Sequence, residues 1–223
     1  MNEPVIYEDL AALSTAVALR IAGLAKQAIS ARGVFHFALA GGGTPRYCYE
    51  VLRRLPVDWS HVQLYFGDER CLPAGDAERN DSMAYDALIR HIAIPAENVH
   101  VIPAQLGALQ AAAEYHAVIA QAGQLDLVLL GLGEDGHTAS LFPGNPATQR
   151  CAPVVAVFNS PKPPSERVSL GMDTINRARH KLFLLAGKSK REPLARIKQG
   201  EVLPAACVSG AEWHMDRAAW LEN

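Results

Sequence analysis

An apolar run that ends in a cluster of glycines constrains this chain more than any other stretch. Leu125 to Leu130 reads LDLVLL, with Asp126 its only charge, and Gly131, Gly133 and Gly136 follow at once. A strand with one wet face alternates apolar and polar residues, whereas a strand covered on both faces of a parallel sheet stays apolar throughout. The run therefore predicts a central parallel strand. The glycines predict a sharp turn in which backbone can approach a ligand closely. Open α/β sheets place their ligand sites there, outside the carboxyl ends of the strands. His137 arrives at the end of the same loop, after Glu134 and Asp135, and brings a group that titrates near neutrality.

The rest of the chain alternates in the same way. Apolar positions recur at helical spacing from Glu8 to about Arg32, with Gly33 as a stop, and Val34–Ala40 (VFHFALA) reads as a strand. Gly41–Pro45 (GGGTP) follows, then a helix from Arg46 to Leu55 that breaks at Pro56. His61–Phe66 is a strand running into Gly67–Pro73 (GDERCLP), Asp81–Ile92 a helix, Asn98–Ile102 a short strand and Leu106–Gln121 an Ala-rich helix. Beyond Pro143, Val154–Phe158 and Val168–Leu170 flank a Pro-rich loop at Ser160–Ser165. Lys181–Ala186 is a strong strand, GKSK leads to a helix ending near Gly200, and Ala205–Val208 reads as a last strand before WHMDRAAWLEN. Such alternation predicts an α/β fold with a mostly parallel sheet covered on both faces. At 223 residues and with no convincing linker, a single domain over 1–223 is expected.

Composition narrows the function classes. A net charge of −2 gives no basic surface for nucleic acid, and the longest apolar runs are strand-sized, short of a membrane span. The opening MNEPVIYEDL has no basic segment followed by an apolar core, so no secretion signal is expected. Cys48, Cys71, Cys151 and Cys207 form no CxxC pair and read as reduced thiols of a cytoplasmic protein. The eight histidines lack metal-ligand spacing, so no metal and no cofactor is expected.

Several short motifs carry candidate chemistry. In Gly41–Pro45, glycines ahead of a helix expose backbone N–H groups to an anion, with Thr44 as N-cap and Pro45 in the first turn; the plainer alternative is a strand-to-helix turn. Arg70, in GDER, either joins a surface ion-pair cluster or binds a phosphate or a developing oxyanion. Gly131 to Gly136 matches GxGxxG, but Glu134 and Asp135 would repel a pyrophosphate, which argues against a dinucleotide. Gly187-Lys188-Ser189 lacks the glycine of a P-loop, since Leu182 stands in its place. His137 is a structural histidine or, oriented by Asp135, a base acting on water; Ser140 lacks the GxSxG setting of a nucleophile. Of Lys188 and Lys190, one can supply a further cation to the rim while the other is solvated.

Taken in order, AGGGTP, YFGDERCLP with Asn80 and Met83 after it, LGLGEDGHTASLFPG and LFLLAGKSKREPL resemble the 6-phosphogluconolactonases of the oxidative pentose phosphate pathway. The resemblance runs from about Leu39 to Leu194, and GEDGHTASLFPG is its most specific part. It implies a three-layer, Rossmann-like α/β sandwich of the glucosamine-6-phosphate isomerase/ribose-5-phosphate isomerase group, and a small sugar-phosphate lactone as substrate. By the same resemblance His137 is the general base, Asp135 holds its ring, and Gly42, Gly43 and Thr44 line the sugar-phosphate site. Arg70 and a lysine complete the anion-binding wall, Lys190 by the family's phasing and Lys188 otherwise. The related deaminases continue after the histidine to a catalytic Glu, whereas TASLFPG holds no carboxylate. A sugar-phosphate-sensing domain would normally carry a basic DNA-binding segment, which the first residues here do not resemble.

Overall fold

The computed structural model describes residues 2–220; Met1 and the last three residues of the WHMDRAAWLEN stretch lie outside the described residues. In chain order the elements are β1 (Val5–Tyr7), α1 (Leu10–Arg32), β2 (Phe35–Leu39), α2 (Gly43–Leu52), β3 (Val62–Phe66), β4 (Asp68–Arg70), α3 (Asn80–Ala87) and α4 (Ala108–Ala122). Then come β5 (Leu127–Leu130), β6 (Val154–Val157), β7 (Arg167–Leu170), α5 (Met172–Arg177), β8 (His180–Leu185), α6 (Arg191–Lys198) and β9 (Glu212–Asp216).

The apolar run becomes β5, every residue of it buried, inside a six-stranded sheet ordered β1-β9-β8-β5-β2-β3. All neighbours in this sheet are parallel. From β2 the chain moves outward through α2 to β3, and from β5 it moves the other way to β8 and β9. The direction of winding thus reverses between β2 and β5, and a crevice opens at their carboxyl ends. A smaller antiparallel sheet, β4-β7-β6, stands beside this crevice, with Asp68 opposite Ser169 and Arg70 opposite Arg167. Helices α1 and α2 pack together against the main sheet, and α4 packs on β6 and β7, giving the expected layered α/β architecture.

Two buried tyrosines fix the strand ends that lead into the crevice. Tyr49 of α2 accepts the Ala40 N–H (2.9 Å) and donates to the Ala40 carbonyl (2.8 Å). Tyr115 of α4 does the same for Phe66, at 2.8 and 3.3 Å. Each hydroxyl thereby satisfies a backbone donor and acceptor just where a strand gives way to a functional loop.

Helix α1 begins where Asp9 accepts the Ala12 N–H (2.8 Å) and ends at Gly33, in the left-handed conformation with φ 77°. Its 23 residues exceed the strand-sized apolar runs expected from sequence and are long and apolar enough to cross a membrane. Leu13, Val17, Ile21 and Leu24 of this helix are nonetheless buried in the protein core.

Some expected boundaries shift for physical reasons. Asn98–Ile102 is not a strand: Ala96–Asn98 is a 3-10 turn, and only Val99 bridges to Leu64 before Pro103 ends further pairing. Ala205–Val208 is not the last strand, because Pro204 opens a 3-10 turn over Pro204–Cys207; the strand is β9, within the terminal stretch. The helix expected over Asp81–Ile92 ends at Ala87 and is followed by a 3-10 turn at Ile89–His91.

Candidate active site

A cavity of about 350 Å³ occupies the crevice. Its wall on the β2 side is the GGGTP loop. Helix α2 starts at Gly43, one residue before the expected cap: Gly42, at φ 102°, takes the N-cap position, and Thr44 lies inside the first turn without capping it. Only glycine adopts that φ without strain, so backbone conformation overrides the preference of threonine for the cap. The first turn leaves N–H groups without intrahelical partners and turns the positive end of the helix dipole toward the cavity. Gly41 has a different reason to be glycine: a β-carbon there would overlap the side-chain amide of Asn80.

The β5 side carries His137. The imidazole is 16% exposed, its Nδ1 lies 2.5 Å from Asp135 Oδ1, and its ring packs against Phe142 at a centroid distance of 4.5 Å. A carboxylate only accepts, so Nδ1 carries the proton and Nε2 keeps its lone pair. Burial holds the His137 pKa below its ordinary value of 6.5, outweighing the opposite pull of Asp135. Burial also raises the Asp135 carboxyl, but the hydrogen bond and charge of His137 outweigh it and hold that group below its usual range. The ring is therefore neutral at pH 7, with a free basic nitrogen. Gly133 makes room for this pair, since a β-carbon there would overlap the imidazole.

The small sheet supplies side chains that sequence reasoning missed. Asp68, 8% exposed, lines the cavity and accepts the Ser140 hydroxyl through Oδ2 (2.6 Å) and the Asn80 amide through Oδ1 (3.2 Å). Ser140 is fully buried in that bond, which removes it as a nucleophile. Glu69, beside it, accepts N–H groups of Arg70, Asn80 and Asp81, each at 2.8 Å, and so ties β4 to the first turn of α3. Burial pushes its carboxyl up to about 7 against the pull of those donors. Arg167 lines the cavity from β7 with its guanidinium over the Phe142 ring, 5.6 Å from the centroid. The one signal for Asp68 was its place two residues ahead of Arg70 in GDER; Arg167 sits in a loop-like stretch with no motif of its own.

The expected cations divide. Arg70 lines the cavity; it donates through Nη1 to the Glu78 carbonyl, and its buried Nε has no hydrogen-bond partner among the described residues. Lys190 also lines the cavity, and burial lowers the pKa of its ammonium. Lys188, two residues earlier on the same 3-10 turn, is exposed and outside the cavity wall. Asp216 at the end of β9 accepts the Gly187 N–H at 3.0 Å, which anchors the start of that turn. The structure thus brings Gly42, Gly43, Thr44, Arg70, His137 and Lys190 to one cavity, with Asp135 behind His137. Among the described residues, no group of three His, Cys, Asp or Glu side chains is placed to hold a metal ion.

Comparison with known proteins identifies the family and the fold. Residues 8–220 match the profile of the family described as glucosamine-6-phosphate isomerases/6-phosphogluconolactonase. The 6-phosphogluconolactonase of Mycobacterium tuberculosis is 36% identical over 235 residues, covering 96% of this chain and 95% of that protein. The rabbit GDH/6PGL endoplasmic bifunctional protein is 34% identical across 94% of this chain, which spans only 29% of that longer protein. Among solved structures, 6-phosphogluconolactonase from Thermotoga maritima superposes with a TM-score of 0.89 at 30% identity, covering 96% of this chain and 100% of that one.

Proposed function

The chain belongs to the glucosamine-6-phosphate isomerase/6-phosphogluconolactonase family, and we propose that the reaction it runs is hydrolysis of 6-phospho-D-glucono-1,5-lactone to 6-phospho-D-gluconate, in the oxidative pentose phosphate pathway. One observation carries the reading. A neutral imidazole with a free Nε2 and the N–H-rich start of α2 face the same cavity, so a base and an anion cradle address one small molecule.

The phosphate binds to the first-turn N–H groups around Gly42, Gly43 and Thr44 and to Lys190. That grip holds the lactone carbonyl near His137 and converts attack into a step within one complex. Nε2 takes a proton from water as the water oxygen bonds to C1, and Asp135 keeps the ring oriented and stabilises the imidazolium. Arg70 faces the oxygen that gathers charge. The C1–ring oxygen bond then breaks, and the leaving alkoxide takes the proton back from Nε2. The new carboxylic acid ionises in water. A lactone is an activated ester that expels an alkoxide, so general-base help and positioning suffice for its hydrolysis.

The chain acts as one domain over 1–223. A small sugar phosphate is its partner, and the net charge of −2 offers no electrostatic basis for nucleic acid. Four free cysteines, two of them exposed, support a reducing, cytoplasmic setting.

The test is acid release from the lactone generated in situ by glucose-6-phosphate dehydrogenase. Release well above the spontaneous rate is expected, with no ammonia formed from glucosamine 6-phosphate. Release at only the spontaneous rate would overturn the assignment.

A further inference from the structure

The mouth of the cavity carries an ion pair that the reaction as described does not use. Lys162 Nζ lies 3.6 Å from Glu134 Oε2, and both side chains line the cavity. The lysine stands on a braced loop. Arg167, itself buried, donates through Nε to the Pro164 carbonyl at 3.3 Å, and through Nη2 to the carbonyls of Lys162 at 3.1 Å and Pro163 at 3.0 Å. Across the loop, the Ser160 hydroxyl donates to the Lys162 carbonyl (2.8 Å) and the Ser160 N–H to the Ser165 carbonyl (3.0 Å). Pro161, Pro163 and Pro164 restrict the backbone further. A lysine needed only for solubility requires no such frame, whereas a cation meant to meet a ligand gains from being held in place beforehand.

The ion pair itself is weak. Its side chains are 49% and 65% exposed, and exposed pairs at this separation contribute little and yield readily to a stronger partner. Lys190 is close by: burial lowers its ammonium, Lys162 pushes it the same way and Glu134 opposes both. If Lys162 leaves Glu134, two ammonium groups converge on the phosphate end of the cavity.

We propose that Lys162 is a substrate-binding residue that exchanges Glu134 for the phosphate of the incoming sugar phosphate, with Glu134 as its counter-ion in the free enzyme. This deepens the function given above and rests on it for the identity of the anion. The exchange keeps a carboxylate at the entrance from repelling the dianion, because Lys162 neutralises Glu134 until the substrate arrives.

Steady-state kinetics of Lys162→Gln and Glu134→Gln test the exchange, because the two changes act with opposite sign. Lys162→Gln raises KM for 6-phospho-D-glucono-1,5-lactone about tenfold and leaves kcat within about twofold, and Lys162→Arg restores most of the loss. Glu134→Gln lowers KM about threefold, since it removes both the competitor and the repulsion. With glucono-1,5-lactone, which lacks the phosphate, Lys162→Gln has no effect on KM. If the pair were only a brace for the loop, breaking it from either side would raise KM. A KM that does not rise in Lys162→Gln, or does not fall in Glu134→Gln, overturns the inference. Turnover of the phosphorylated lactone by the unmodified protein is measured first; its absence would sink the functional reading, separately from the signs seen in the variants.

Discussion

The two ends of the parallel sheet both concentrate charge, and they dispose of it in opposite ways. At the amino end, Asp126 at the start of β5 is 3% exposed and fully engaged: it accepts Arg32 Nη2 at 2.6 Å and the His36 N–H at 2.9 Å, and it forms an ion pair with Arg179 Nε at 3.3 Å. Nearby Glu212 takes Arg20 at 2.8 Å. At the carboxyl end of the same strands, Lys190 and Arg70 line a cavity, and the basic nitrogen of His137 is left free by its bond to Asp135. Charge at one end is consumed in joining elements. At the other it is held ready for a molecule that is not part of the chain. That contrast separates stability from activity, and substitutions at the two ends should separate them too.

The largest effect is expected at the carboxyl end. His137→Ala removes the base and should lower kcat by about 10²–10⁴ in steady-state assays while KM moves only a few-fold. At the amino end, Asp126→Asn leaves two guanidinium groups without their charge partner. It should cost about 2 kcal/mol in urea unfolding, less than a fully buried pair because both arginines reach solvent, and leave kcat unchanged. Lys190→Ala should raise KM about tenfold with little change in unfolding midpoint. The smallest effect is at Ala139, held at φ 48° in the turn after His137. Ala139→Gly relieves that backbone strain and should raise stability by up to about 1 kcal/mol, read from the same unfolding curves. A loss of stability in Lys190→Ala, or of kcat in Asp126→Asn, would blur the division between the two ends.

The carboxyl-end loops were legible because local sequence determines them. LDLVLL has no polar face, so it must lie inside a parallel sheet, and the glycines at 131, 133 and 136 mark where it leaves. The GGGTP and DGH motifs follow strands whose positions in the sheet bring them together. What stayed hidden depends on pairing over long distances. The three residues of β4 show no periodicity, and only their antiparallel match with β7, about a hundred positions later, turns Asp68 and Arg167 toward the cavity. β1 pairs with β9 across nearly the whole chain, so neither short stretch announces itself. Thr44 misled for another reason: its capping preference is real, but Gly42 alone tolerates the backbone angle that the turn demands.

The pH dependence of kcat tests the central claim most directly, compared between the unmodified protein and His137→Ala. Burial that disfavours the charged ring, and a base that must be neutral to act, predict a rate that rises from the acid side and then levels off. In His137→Ala this rise should be gone. A rise that survives in His137→Ala, or no rise from the acid side in the unmodified protein, would contradict proton abstraction by His137.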